Sequence, residues 1–148
     1  MAQGTFTLFE EFAKNIQNGD HDMDTDAFKV MIITQQAGGA ATITAADATP
    51  DSADYTECTV GGSYTAGGEA ITMTLSEVGG VATLAVTSGV TTWAKHASGP
   101  TDGKVGLIYN TSHTGTNDAI GFIDLTSDGT SAVDNTAGAI NITWAASL

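Results

Sequence analysis

Four consecutive apolar residues, Val30-Met31-Ile32-Ile33, close the run Ala27-Phe28-Lys29-Val30-Met31-Ile32-Ile33-Thr34. A strand with one wet face would alternate apolar and polar residues, because successive side chains point to opposite sides. The absence of alternation predicts a central strand covered on both faces. One cover would be a partner sheet and the other a helix.

The helix is predicted just upstream, within residues 1–18. At about 100° per residue, Phe6, Phe9, Phe12, Ala13 and Ile16 fall within about 120° of arc, which is a packing face. Thr7 and Glu10 have the spacing of a capping box. Glu10 and Glu11 suit the positive end of the helix dipole, and Gly19 is a natural C-terminal stop. About three turns is too short to be stable alone in water. The three Phe side chains therefore need burial, on this chain's own sheet or on a neighbouring subunit. That makes Phe6, Phe9, Phe12 and Ile16 candidate protein-interface residues.

Downstream, residues 35–68 read as an extended loop region rich in Ala, Thr and Gly, with a short strand at 41–44 and a turn around Tyr64 that the aromatic anchors. A loop of that length in one domain often makes contacts beyond its own fold. Residues 69–77 alternate, with Ile71, Met73 and Leu75 on one side. Gly79-Gly80 is a hairpin signal, and 81–87 is the returning strand. Further strands are predicted at 90–95 with Trp93 as core anchor, at 104–110, at 119–125 as its partner, and at 137–145. The fold class that follows is mainly β: an antiparallel β-sandwich or barrel-like domain of about seven strands, with one short N-terminal amphipathic helix. At 148 residues the chain fits a single domain, 1–148.

Charge narrows the function classes. The net charge is −13, and the four basic residues, Lys14, Lys29, Lys95 and Lys104, are scattered, with no arginine. Nucleic-acid binding by counterion release needs clustered cations, and anionic membranes need the same. Neither partner is expected. Cys58 is the one cysteine, so no intrachain disulfide can form. No stretch approaches the roughly 18 apolar residues of a membrane span. The N-terminus has no basic region followed by an apolar core, so the expected place of synthesis is the cytoplasm.

Catalytic patterns fail one by one. Asp20, Asp22, Asp24 and Asp26 recur every second residue as in a calcium loop, but the sixth and twelfth positions counted from Asp20 hold Thr25 and Met31, not Gly and Glu. A solvated acidic turn is the simpler reading. Asp20, Asp22 and Asp24 are the residues that would hold a divalent cation outside the EF-hand pattern. His21, His96 and His113 lack zinc-ligand spacing. There is no nucleophile elbow, P-loop or dinucleotide fingerprint, and no pair of carboxylates placed for glycosidase work. Trp93 and Trp144 would suit a sugar site or, more simply, a core. The sequence thus predicts no enzyme, no metal and no cofactor.

The ordered set of segments resembles a family of small structural proteins of tailed bacteriophages. Its members open with a Phe/Leu-rich helix, a Gly-His-Asp-like turn and a strand of the FKV type, as in FTLFEEFAKNIQNGDHDMDTDAFKVMIIT here. They continue with a GGSYTAGGEAIT-like segment, a Trp-containing strand near TTWAK, and a GLIYN strand followed by IGFIDL. The resemblance covers most of the chain and departs from it in the longer Ala/Thr-rich segment before Tyr55. It implies a virion component made in the host cytoplasm: a capsid decoration (cement) protein that binds the major capsid protein and copies of itself. A tail or head–tail subunit, and a carbohydrate- or host-binding β-sandwich module, are the alternatives. The contacts to neighbours would come from residues 6–17 or 35–54.

Overall fold

The computed structural model describes residues 3–37, 42–128 and 130–144. In chain order its elements are β1 (Phe6–Leu8), α1 (Phe12–Asn18), β2 (Phe28–Ile33), β3 (Gln36–Ala37), β4 (Thr42–Ile43), a 3-10 turn (Ser52–Asp54), β5 (Glu69–Ile71), β6 (Met73–Val78), β7 (Val81–Val86), β8 (Val90–Trp93), β9 (Val105–Asn110), β10 (Ala119–Asp124) and β11 (Ile140–Thr143). The class is mainly β, with antiparallel sheets and a single short helix among the described residues.

The non-alternating run becomes β2, inside a five-stranded antiparallel sheet of order β1-β10-β9-β2-β5. Both faces of β2 are buried. Phe28, Val30 and Ile32 enter one apolar core, and Met31 and Ile33 enter a second on the opposite face. Strand β9 divides in the same way, with Ile108 in the first core and Val105 and Leu107 in the second. Each Val or Ile fully buried here is worth about 1.5–3 kcal/mol.

The first core is closed by a second β layer. The two-stranded sheet β8–β11 supplies Trp93, Ile140 and Ile142, and the hairpin β6–β7 supplies Met73, Leu84 and Val86 from its base. Two layers over one core give the sandwich-like character of the domain. The second core is closed by Phe9, by Ile43 of the two-residue β4 and, partly buried, by Tyr55. From the region 35–68, Ile43 and Tyr55 therefore cover one face of the chain's own sheet, while Cys58 and Tyr64 enter the first core. The Pro50 carbonyl accepts from Ala119 N at 3.0 Å and the Ala45 carbonyl from Glu10 N at 2.8 Å. The predicted strand at 41–44 appears as β4, with position 41 outside the described residues; positions 1, 2 and 145 of other predicted elements also lie outside them.

The N-terminal helix needs correction. Residues 6–8 are a strand, with Phe6, Thr7 and Leu8 paired to Ile123, Phe122 and Gly121 of β10. Gly121 leaves the room for this, since a Cβ there would lie 2.5 Å from Phe6 Cζ. Helix α1 begins only at Phe12 and has seven residues; its N-cap is Glu11, which makes no side-chain cap bond, so Thr7 and Glu10 form no capping box. The reason is cooperative. A three-turn helix is marginal, whereas an edge position on a formed sheet satisfies the same backbone groups at once. The C-terminal stop is as predicted. Gly19 has φ +84°, its amide donates to the Ile16 carbonyl and Asp20 N donates to the Asn15 carbonyl, which is a Schellman cap.

More strands are present than the predicted seven, partly because the alternating segment 69–77 breaks at Thr72. Up to Ile71 it pairs with β2, and from Met73 it pairs with β7. Thr72 marks the change of partner, accepting from Thr87 N at 2.8 Å.

Candidate assembly surface

The four apolar residues picked from the sequence do not form one stripe. Phe9, 2% exposed, lies in the second core, its ring 5.5 Å from that of Phe122. Phe12 lies across the sheet in the first core, stacked on His21 at 6.0 Å. Phe6 and Ile16 are partly buried against that same first core. Phe9, just after β1, and Phe12, at the start of α1, therefore pack in different cores of this chain.

The acidic turn holds itself together. The Asp22 carboxylate accepts from Asp24 N at 3.0 Å, and the Asp26 carboxylate accepts from Asp22 N at 2.8 Å and from Asn110 Nδ2 at 2.6 Å. The Asp24 amide and the Thr25 hydroxyl hold the Asp22 carboxyl below the usual carboxylate range. Among the described residues, no three His, Cys, Asp or Glu side chains are placed to hold a metal ion. Asp20, Asp22 and Asp24 are thus turn residues in this geometry.

Between that turn and β9 lies a buried polar cluster that sequence reasoning missed. His21 is 3% exposed, its Nδ1 faces Asn110 Nδ2 at 3.2 Å, and its ring lies 6.1 Å from that of His113. The other ring nitrogen, Nε2, is buried with no partner among the described residues. Burial, then the neighbouring His113, lower the His21 pKa. His21, Asp22 and Asp24 help line an open cleft of about 380 Å³, together with Ile16, Met23 and Leu75.

The remaining chemical candidates are closed off. Cys58 is buried, and burial followed by the Asp102 charge pushes its thiol up to about 12, so a thiolate nucleophile is not available. Trp93 and Trp144 are both core residues, and Trp144 Nε1 donates to Thr91 Oγ1 at 2.9 Å. Tyr109 is partly buried and donates to the Gly67 carbonyl. None of these rings is a free stacking platform for a sugar.

Among the described residues, three of the five exposed large apolar side chains, Leu75, Val78 and Val81, lie elsewhere, on the β6–β7 hairpin. The strands pair in full register from Met73↔Val86 to Val78↔Val81. Gly79 and Gly80 make the turn with φ +63° and +82°, the left-handed pair that a two-residue hairpin of type I′ requires. The base is anchored, but the distal half stands free: Val78 is 80% and Val81 65% exposed, and Leu75 on β6 is exposed as well. Residues 70–94 contain one charged side chain, Glu77, in a chain with 17 acidic residues. Charge distribution along the sequence was the signal that could have found this surface.

Comparison with models of known protein families, with curated proteins and with solved structures found no match.

Proposed function

We propose that this chain is a structural component of a tailed-bacteriophage virion, a capsid decoration protein that sits on the major capsid protein lattice in many copies. The observation that carries the reading is the exposed, largely apolar β6–β7 hairpin, with Glu77 its one charge, on an otherwise acidic chain. Exposed apolar residues gathered on one projecting element mark a contact site. The acidic remainder keeps unattached copies soluble. The ordered sequence segments that resemble phage structural proteins support the same reading.

The test is made on purified particles of a tailed phage encoding the chain. Quantitative mass spectrometry and particle imaging should find it on the head surface at a copy number comparable to the lattice sites. Presence in the infected lysate but absence from particles would overturn the proposal. Location in the tail would favour the tail-subunit alternative. The sugar-binding alternative loses its support with the burial of Trp93.

A further inference from the structure

We infer that the outer edge of β7 (Val81–Val86) is the site where a second copy of this chain adds, antiparallel, to make a continuous four-stranded sheet from two hairpins. Among the described residues β7 pairs with β6 and with nothing on its other side. An unpaired edge presents a row of free N–H and C=O groups, and soluble proteins blunt such edges with charge, proline or bulges. The Val-Ala-Thr-Leu-Ala-Val of β7 has no charge and no proline, and its register with β6 has no break. The distal half of the hairpin is also two strands with both faces exposed, an arrangement that is marginal alone in water and becomes stable with more strands.

The occupant is a second copy because the edge is self-complementary, and electrostatics favours this edge over the rest of the surface for its approach. Two molecules of charge −13 repel wherever acidic faces meet. Residues 70–94 are where the approach costs least, because Glu77 is their one charge. An antiparallel edge is also self-complementary: a two-fold axis brings the same strand to itself, which is the isologous contact of a closed dimer. The apolar tips at Val78 and Val81 then extend the new sheet on its exposed face.

This inference rests on the assembly reading for its choice of surface, and its test uses the isolated full-length chain without capsids, so the two fail separately. Sedimentation equilibrium should give twice the mass of one 15.0 kDa chain. Added salt should strengthen the dimer by screening the acidic remainder. Val81→Glu should weaken the dimer by roughly tenfold or more, with the far-ultraviolet circular dichroism unchanged. Hydrogen exchange of the native chain should show protection of amides in 81–86 that rises with protein concentration; this arm stands even if the variant fails to fold. A monomer at every concentration up to millimolar overturns the inference. So does a dimer that survives Val81→Glu and leaves 81–86 unprotected.

Discussion

The Tyr64 hydroxyl takes the place of a neighbouring strand for Ile32. It accepts from Ile32 N at 2.9 Å and donates to the Glu57 carboxylate at 2.8 Å. Strand β5 pairs with β2 only as far as Val30. Beyond that, the exposed side of the β2 ladder is completed by Tyr64, by Cys58 N donating to the Ile32 carbonyl at 2.9 Å, and by Thr34 N donating to the Thr56 carbonyl at 2.9 Å. One side chain and one loop thereby let a short strand stand in the middle of a sheet. Tyr64→Phe keeps the ring packing on Trp93 but leaves a buried amide without an acceptor. We expect a loss of about 1–3 kcal/mol, read as a lower urea midpoint with an unchanged slope. A loss near zero would mean that the hydroxyl is dispensable to the ladder.

Asn135 does comparable work in the second β layer. It is fully buried, and its Nδ2 is shared among the carbonyls of Trp93 at 3.2 Å, Ala94 at 3.2 Å and Gly138 at 3.3 Å. Its own backbone donates to the Pro100 carbonyl and accepts from His96 N. Asn135→Ala leaves those carbonyls without their donor and opens a void, for an expected loss of about 2–4 kcal/mol. Asn135→Asp should be worse at neutral pH than at acid pH, since a carboxylate would face carbonyl oxygens. Thermal unfolding of both variants at two pH values checks the order.

Much of this architecture is visible in the residues. The four-residue apolar run predicts a strand buried on both sides, Gly19 predicts the helix end, and Gly79-Gly80 predicts the hairpin. The N-terminal error has a clear origin. Phe6, Phe9, Phe12 and Ile16 satisfy a helical period, while Phe6 and Leu8 also alternate, and the choice between the two is made by the vacant edge of β10, which is a long-range fact. The polar hubs Asn110 and Asn135 sit in or beside loops, where asparagine is ordinary and burial leaves no local mark. The free hairpin has a mark of another kind, since a stretch of 25 residues with one charge is legible as soon as charge is read along the chain rather than summed over it.

Acid should loosen the turn around His21. Its folded pKa lies below the ordinary value of 6.5, chiefly because burial disfavours the charged ring. The unfolded chain therefore binds this proton more readily than the native one. The sign follows: the contribution is complete above pH 6.5 and is lost as pH falls through the lowered folded value. His113 opposes the charge, while Asp20 and Asp26 favour it and keep the shift from growing. Asp118, raised by burial, acts in the opposite direction. His21→Asn retains a polar side chain facing Asn110 and removes the titration. Its stability should vary less between pH 7.5 and pH 5 than that of the native chain, as measured by urea unfolding. Equal slopes for the two proteins would exclude His21 as the acid-sensitive group.

Phe9 and Phe12 are close in sequence but sit in different cores, and this decides how the N-terminal segment can be tested. Each is an aromatic anchor buried within its own chain. Phe9→Ala and Phe12→Ala should each cost about 3–5 kcal/mol, a large part of the 5–15 kcal/mol typical of a domain. Phe6→Ala, on the partly buried edge strand, should cost less. Because Phe9 contacts Phe122 in the second core and Phe12 packs on His21 in the first, the two losses should add within about 0.5 kcal/mol in the double variant if it remains folded. Deleting residues 1–18 removes β1 and both anchors, so loss of particle binding by that truncation would report unfolding rather than a lost contact. Val81→Glu leaves both cores intact and is the variant that separates the two. If Phe9→Ala leaves the urea midpoint unchanged, Phe9 does not anchor the second core, and an external role for the N-terminal aromatics regains its standing.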